Sequence, residues 1–123
     1  MLLATAAVPA GLLLVARVLR RVEVTGGSMR PTLEPGDRVL AVRARRARAG
    51  DLVVVRDPRD PRDLRNAGRL LVKRVAAVGP HGVEVRGDNA AASTDSRVFG
   101  PVPAVWGRAV YRYAPAARAG WLR

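Results

Sequence analysis

One lysine and one serine form a pair that could carry out nucleophilic chemistry. The chain has 22 lysine and arginine residues, and Lys73 is the only lysine among them. Arginine keeps its proton in proteins, whereas burial of a lysine in apolar surroundings can lower its pKa of about 10.4 by several units. Lys73 lies inside the apolar run LLVKRVAAV, residues 70–78. Among the lysines and arginines, it is therefore the one side chain that could become neutral and accept a proton.

Ser28 is the candidate nucleophile for such a base. It lies in the segment GGSMRPTLEPGD, residues 26–37, and the chain has only two other serines, Ser93 and Ser96. The glycines Gly26 and Gly27 permit a sharp turn and the close approach of a substrate chain. A serine and a neutral lysine can act together as nucleophile and general base. Each feature alone has a simpler interpretation, since a lone lysine could reflect composition and a Gly-Gly-Ser turn is common.

A third polar segment, GDNAAASTDSRVFGPV at residues 87–102, follows an apolar run. Its density of short polar side chains is typical of a loop that forms hydrogen bonds with itself. Asp95 and Arg97 could form an ion pair that braces the loop, and Ser93 could orient an amine. The alternative is a solvated connector.

The elements that must hold these residues are predicted to be mainly β-strands. Short valine-rich runs separated by glycine-bearing turns predict strands at residues 22–25, 38–42, 51–56, 69–78, 82–86 and 105–113. Aromatic residues make up only 4% of the chain, so the core is expected to consist of valine, leucine and alanine. We therefore predict one small β-sandwich or barrel domain, residues 22–123, preceded by an apolar helix.

Residues 2–19 are the only long apolar stretch, and residues 1–21 are predicted to be that helix and a membrane anchor. A buried or interfacial helix is the alternative. Arg17, Arg20 and Arg21 lie at its C-terminal end, while no basic side chain precedes it. The positive-inside rule then predicts a cytoplasmic catalytic domain, with the extracytoplasmic face as the alternative.

The overall charge and composition restrict the possible partners. The formal net charge of +12 predicts attraction to anionic surfaces, and a membrane-facing basic surface is favoured. No aromatic residue lies among the arginine-rich stretches, and no zinc-ligand pattern is visible, so we predict no nucleic-acid partner. The chain has no cysteine, which excludes disulfides and thiolate sites. No cofactor or metal is predicted.

Taken together, the motifs resemble those of the type I signal peptidase family of Ser/Lys endopeptidases. The matching boxes are GGSMRPT, GDRVLAV, GDLVVVR, LLVKRVAAVGP and GDNAAASTDSRVFGPV. The resemblance implies a serine hydrolase in which Ser28 is the nucleophile and Lys73 the general base. It further implies that the Ser93 hydroxyl holds the lysine amine. Supporting roles fall to Asp88, Asp95 and Arg97.

Two features depart from that family's pattern. Secretory members usually carry a serine or threonine two positions before the nucleophile, where it helps to bind the oxyanion, and here that position is Gly26. Thr25 is the nearest candidate for the missing donor, with Gly27 allowing close approach of the substrate. Only one hairpin fits between the lysine box and the last box, so the chain is predicted to be a minimal catalytic core.

The form of the last box most resembles the nickel-type superoxide dismutase maturation proteases, a subgroup of the family. This resemblance implies that a leader-bearing protein is the substrate and that its N-terminal leader is removed. General type I signal peptidase activity on secreted preproteins is the alternative. Two readings from other classes remain: a self-cleaving regulator of the SOS type, and an inactive basic membrane-surface protein.

Overall fold

The computed structural model describes residues 9–60 and 69–123. The helices are α1 (Ala10–Val18) and the short α2 (Ser96–Phe99), with 3-10 turns at Ala90–Ala92 and Ala116–Arg118. The strands are β1 (Leu19–Glu23), β2 (Arg38–Arg43), β3 (Leu52–Arg56), β4 (Leu70–Gly79), β5 (Gly82–Arg86), β6 (Gly107–Ala114) and β7 (Gly120–Trp121).

The seven strands form a single antiparallel sheet. Its order is β1-β2-β6-β3-β4-β5, and β7 pairs with β6. The hairpin between β4 and β5 closes where Gly79 pairs with Gly82, at the turn that the sequence predicted. The mainly β prediction is therefore confirmed, with one continuous sheet in place of two separately paired sheets.

Strand β3 is buried on both faces and divides the interior into two cores. Leu52 and Val54 belong to the first core, and Val53 and Val55 to the second. This follows from the strand geometry, because successive side chains point to opposite faces. The uninterrupted apolar run of β3 is what a strand covered on both sides requires.

The two cores position the two candidate reactive segments. Met29 and Leu33, which lie within the serine segment (residues 26–37), are buried in the first core. On β4, Val72 belongs to the first core, whereas Val75 belongs to the second. Lys73 is paired with Val53 and therefore projects towards the second core, inside apolar surroundings.

The N-terminal segment differs from the prediction of a helix over residues 1–21. The helix ends at Val18, and Leu19 begins β1, where it pairs with Val42. The physical reason is that β2 offers this stretch a strand partner, which a single-sequence pattern does not reveal. Residues 1–8 lie outside the described part of the chain. Within that part, the structure contains no helix with the length and hydropathy needed to span a membrane.

The remaining predicted strands match the structure within about two residues, except that β1 starts three residues earlier than predicted. β7 was not predicted. It has only two residues, and its pairing of Trp121 with Tyr111 depends on the tertiary fold.

Candidate active site

Ser28 and Lys73 line the same small cleft. Its other walls are formed by the end of β1 and the residues after it, and by the start of β4. The cleft has a volume of about 20 Å³, enough for roughly one water-sized group. No hydrogen bond joins Ser28 Oγ to Lys73 Nζ within the described residues. Catalytic hydrogen bonds are often long before substrate binds, so the shared cleft is the relevant geometry.

Lys73 is almost completely buried, with 3% of its surface exposed. Burial lowers the pKa of its amine, because the charged form loses hydration. The negative charge of Asp95 acts in the opposite direction, and the positive charges of Arg59 and Arg69 reinforce the lowering. The net effect is a pKa below the ordinary value, so the neutral amine is more populated than it would be in water.

Ser93 fixes the position of this amine. Lys73 Nζ donates a hydrogen bond to Ser93 Oγ at 3.1 Å, and the Gly87 backbone N–H donates to the same oxygen at 3.1 Å. Ser93 Oγ donates its own proton to Asp95 Oδ2 at 2.6 Å. Since that proton is committed to a carboxylate, Ser93 can only accept from the lysine. The lone pair of a neutral Lys73 amine is therefore left available for another group.

Asp95 anchors this chain of hydrogen bonds from a fully buried position. Burial by itself would raise its pKa, but hydrogen bonds from Arg97, Ser93 and the Gly87 N–H outweigh that effect and hold the pKa far below its usual range. Arg97 donates to both carboxylate oxygens at 3.0 Å. Asp95 thus remains charged at neutral pH and keeps the Ser93 proton turned away from the lysine.

A second network ties the serine segment to the loop after β5. The backbone N–H of Asn89 donates to the Ser28 carbonyl at 2.8 Å, and Asn89 Nδ2 donates to the Gly27 carbonyl at 3.1 Å. Thr32 Oγ1 donates to Asp88 Oδ2 at 2.5 Å. Two loops distant in sequence are thereby fixed to one another around the candidate nucleophile.

Asp88 is also bound by Arg74, the residue after the buried lysine. Arg74 Nε and Nη2 donate to the two carboxylate oxygens of Asp88 at 2.8 and 2.9 Å. The hydrogen bond with Arg74 is the main reason that the pKa of Asp88 is lowered, although burial opposes it. Such a bidentate pair has a defined geometry, so it links β4 to the loop after β5. That loop is in turn hydrogen-bonded to the serine segment.

Gly87 lies where the two networks meet. A Cβ atom at this position would be 2.5 Å from the Ser28 carbonyl oxygen and would also overlap the Ser93 hydroxyl. Real Cβ atoms essentially never come within 3.0 Å of such a neighbour. Glycine is therefore needed at this position because of close packing between the serine segment and Ser93.

The Ser28 backbone N–H and the Thr25 hydroxyl are candidate hydrogen-bond donors to an oxyanion. Gly26 has a φ of +72°, a left-handed conformation that favours glycine and accounts for the absence of a hydroxyl there. Among residues 9–60 and 69–123, no acceptor takes the Ser28 backbone N–H. Thr25 lies on the same cleft, and its Oγ1 accepts a hydrogen bond from Arg69 Nη2 at 2.9 Å. Its hydroxyl proton can therefore point to another acceptor.

All the predicted site residues thus fall into one region of the fold. Ser28, Lys73 and Thr25 line the cleft, Ser93, Asp95 and Arg97 form one hydrogen-bonded chain behind the lysine, and Asp88 secures the serine segment. Sequence reasoning missed the positioning contacts of Arg74, Asn89 and Gly87. The signals available were the Lys-Arg dipeptide in an apolar strand and the Gly-Asp-Asn triplet directly after a strand.

Comparison with known proteins shows which family the chain belongs to. Residues 1–89 match the family described as "Signal peptidase, peptidase S26". The chain is 36% identical to the mitochondrial ATP-independent inner membrane protease subunit 1a of Arabidopsis thaliana, over 86% of this chain and 77% of the relative. It is 30% identical to the mitochondrial inner membrane protease subunit 1 of Mus musculus and to that of Homo sapiens, in each case over 80% of this chain and 72% of the relative. The chain therefore belongs to the peptidase S26 family of signal peptidases.

Proposed function

We propose that the chain is a Ser/Lys endopeptidase that removes N-terminal leaders from protein substrates. Ser28 is the nucleophile and Lys73 the general base. The observation that carries this proposal is the buried amine of Lys73. Its pKa is lowered by burial, Ser93 holds it at 3.1 Å, and it lines the same cleft as Ser28.

The reaction needs one proton acceptor that later acts as a donor. Neutral Lys73 takes the proton of the Ser28 hydroxyl while Oγ forms a bond to the scissile carbonyl carbon. The protonated lysine then gives this proton to the leaving amine as the C–N bond breaks, and an acyl ester remains on Ser28. In the second half, Lys73 takes a proton from water, the resulting hydroxide attacks the ester carbon, and Ser28 leaves with the proton returned from the lysine.

The oxyanion that forms in each half-reaction requires donors. We assign the Ser28 backbone N–H as one donor, supported by its lack of a protein acceptor in the described part of the chain. We assign the Thr25 hydroxyl as the other, supported by its place on the cleft and by the bond from Arg69. Loss of one such donor in a serine protease reduces kcat by about 10² to 10³.

For the substrate, we propose the leader of a nickel-type superoxide dismutase precursor. The support is the form GDNAAASTDSR of the last box together with Gly26, two positions before the nucleophile. The second candidate is general leader removal from preproteins at a membrane, favoured by relatives that are named inner membrane proteases. In either case the protein acts at a membrane, and the arginines after the apolar segment support a cytoplasmic catalytic domain.

The test is cleavage of two purified substrates, a leader-bearing nickel superoxide dismutase precursor and a secreted preprotein. We expect cleavage in trans by the wild type and none by Ser28→Ala or Lys73→Met. Lys73→Arg should also be inactive, because a guanidinium cannot accept the serine proton. Ser96→Ala is the matched serine control. The Ser96 hydroxyl accepts the Val85 N–H at 2.8 Å, and Ser96 is not among the described residues that line the cleft, so activity should persist.

The outcomes separate the competing functions. Activity in Lys73→Arg would refute the neutral-base mechanism. Cleavage of the enzyme itself and of no added substrate would instead indicate a self-cleaving regulator. Cleavage of the secreted preprotein alone would refute the proposed dismutase substrate and leave the peptidase assignment intact.

A further inference from the structure

Asp37, the last residue of the serine segment, is a fully buried carboxylate that takes no part in the proposed reaction steps. Its Oδ2 accepts the Glu34 backbone N–H at 2.9 Å and Arg112 Nη1 at 3.2 Å. Its Oδ1 accepts a hydrogen bond from Arg118 Nη2. Arg112 belongs to β6, and Arg118 belongs to the 3-10 turn that follows this strand. The end of the serine segment is therefore tied to the C-terminal part of the fold.

Arg112 binds two further acceptors besides this carboxylate. Its Nη1 also donates to the Thr32 carbonyl at 3.0 Å, and its Nε donates to the Arg118 carbonyl at 2.6 Å. The planar guanidinium presents its donors in a fixed fork, so one side chain sets the relative positions of the three acceptors. Thr32 is also held through its hydroxyl, which donates to Asp88. The serine segment is thus fixed between β6 and the loop after β5.

The backbone of Asp37 closes a loop that contains the two proposed oxyanion donors. The Val24 N–H donates to the Asp37 carbonyl at 2.8 Å, and the Gly36 N–H donates to the Val24 carbonyl at 2.8 Å. These bonds join the two ends of one loop, and Thr25 and Ser28 both lie within it. The same piece of backbone that the arginine fork holds therefore carries both donors.

We infer that Arg112 is a positioning residue for oxyanion binding, because it holds this loop so that the Thr25 hydroxyl and the Ser28 N–H converge on one oxygen. Oxyanion donors act at about 2.7 to 3.1 Å from that oxygen, and a displacement of about 1 Å in an active site can cost about 10²-fold in rate. Arg112 is not among the described residues that line the catalytic cleft, so it acts through the loop. The inference rests on the proposed peptidase function and on its two oxyanion donors.

The experiment measures the kinetics with which Arg112→Gln cleaves a leader-bearing substrate. We expect kcat to fall by about 10- to 100-fold with little change in KM, as for an interaction that acts only in the transition state. The matched control is Arg108→Gln, the same substitution at an exposed position of β6, about 13 Å along the strand. The control should keep the wild-type kcat. A wild type that cleaves no leader would refute the proposed function, whereas an active wild type with an unchanged kcat in Arg112→Gln would overturn this inference alone.

Two further readouts separate positioning from general stabilisation of the fold. In the Thr25→Ala background, Arg112→Gln should lower kcat by less than about threefold, because one of the two donors to be aligned is already absent. An equal fall in both backgrounds would overturn the inference. The rising limb of the kcat/KM pH profile should not move, since burial, and then the charges of Asp95 and Arg59, have the largest effects on the pKa of Lys73. A shift of that limb would assign the effect to the general base and would also overturn the inference.

Arg112→Lys tests the same geometry without removing the charge. Loss of Arg112 leaves the buried Asp37 charge with fewer partners, which lowers stability, whereas lysine keeps a positive charge beside it. A compact ammonium does not reproduce the fork that joins Asp37, Thr32 and Arg118. We therefore expect a folded lysine variant, verified by its thermal melt, in which kcat is still about 10-fold below that of the wild type. A folded Arg112→Lys protein with the wild-type kcat would overturn the inference, whether or not Arg112→Gln folds.

Discussion

Replacing Gly87 with alanine tests whether the close approach of the two site loops controls catalysis. The added Cβ would be 2.5 Å from the Ser28 carbonyl oxygen, while real neighbours stay at 3.0 Å or beyond. The serine segment or the Gly87 loop must therefore shift by at least 0.5 Å. The Ser93 hydroxyl must move as well, because the added Cβ would overlap it.

The substitution should lower both the folding stability and the rate, and the fall in rate should be measurable while the protein is still folded. Overpacking of this kind costs about 1 to 3 kcal/mol of folding free energy, whereas a displacement of about 1 Å in an active site can cost about 10²-fold in rate. For a displacement near half an ångström, we expect kcat to fall by roughly 10- to 100-fold.

The assay is single-turnover cleavage of a leader-bearing substrate well below the melting temperature, with circular dichroism to verify folding. Gly79→Ala is the matched control. Gly79 also lies in the strand-turn region and does not have a positive φ. Apart from its chain neighbours, no atom of the described residues lies within 4 Å of an added Cβ, so the kcat of this variant should be unchanged. A folded Gly87→Ala protein with the wild-type kcat would refute the argument that packing at Gly87 positions Ser28 and Ser93.

Three further predictions concern charge and the oxyanion. Asp95→Asn should move the rising limb of the kcat/KM pH profile to lower pH. The reason is that the Asp95 charge raises the pKa of Lys73, so its removal lets that pKa fall further. A shift of the rising limb to higher pH would contradict this electrostatic assignment. The folded-state pKa values of Asp88 and Asp95 are lowered, so the stability that they contribute is present above their unfolded pKa near 3.8 and is lost as pH falls through the folded values. Urea titrations of the wild type should therefore show a loss of unfolding free energy below about pH 4. In Asp95→Asn, where one of these carboxylates is absent, the unfolding free energy should decline less steeply with falling pH. The same slope in both proteins would exclude Asp95 as a contributor. Thr25→Ala should reduce kcat by about 10²-fold or more with little change in KM. Thr25→Ser, which keeps the hydroxyl, should retain most activity. Equal kcat values for the two variants would show that Thr25 is not part of the oxyanion site.

The sequence was most informative where a local pattern has a single physical cause. Valine-rich runs between glycine turns predicted six of the seven strands, because the alternation of side chains in a strand is a local property. It was less informative at the N-terminus, where the helix ends at Val18 because β2 pairs with the residues from Leu19 onward. Pairing with a strand that is distant in sequence cannot be predicted from the residues of the segment itself.

The candidate site also combines features that the sequence predicted with features that only the tertiary structure determined. From residue types alone, Lys73 was identified as the only lysine and Ser28 as a serine in a glycine turn, since proton affinity and nucleophilicity belong to the side chain. The tertiary structure determined that Lys73 is buried against the second core, that Ser93 accepts from its amine, and that Gly87 lies between the two loops. Burial and hydrogen-bond geometry arise from chain segments that meet only on folding, and it is the burial that shifts the lysine towards its neutral form.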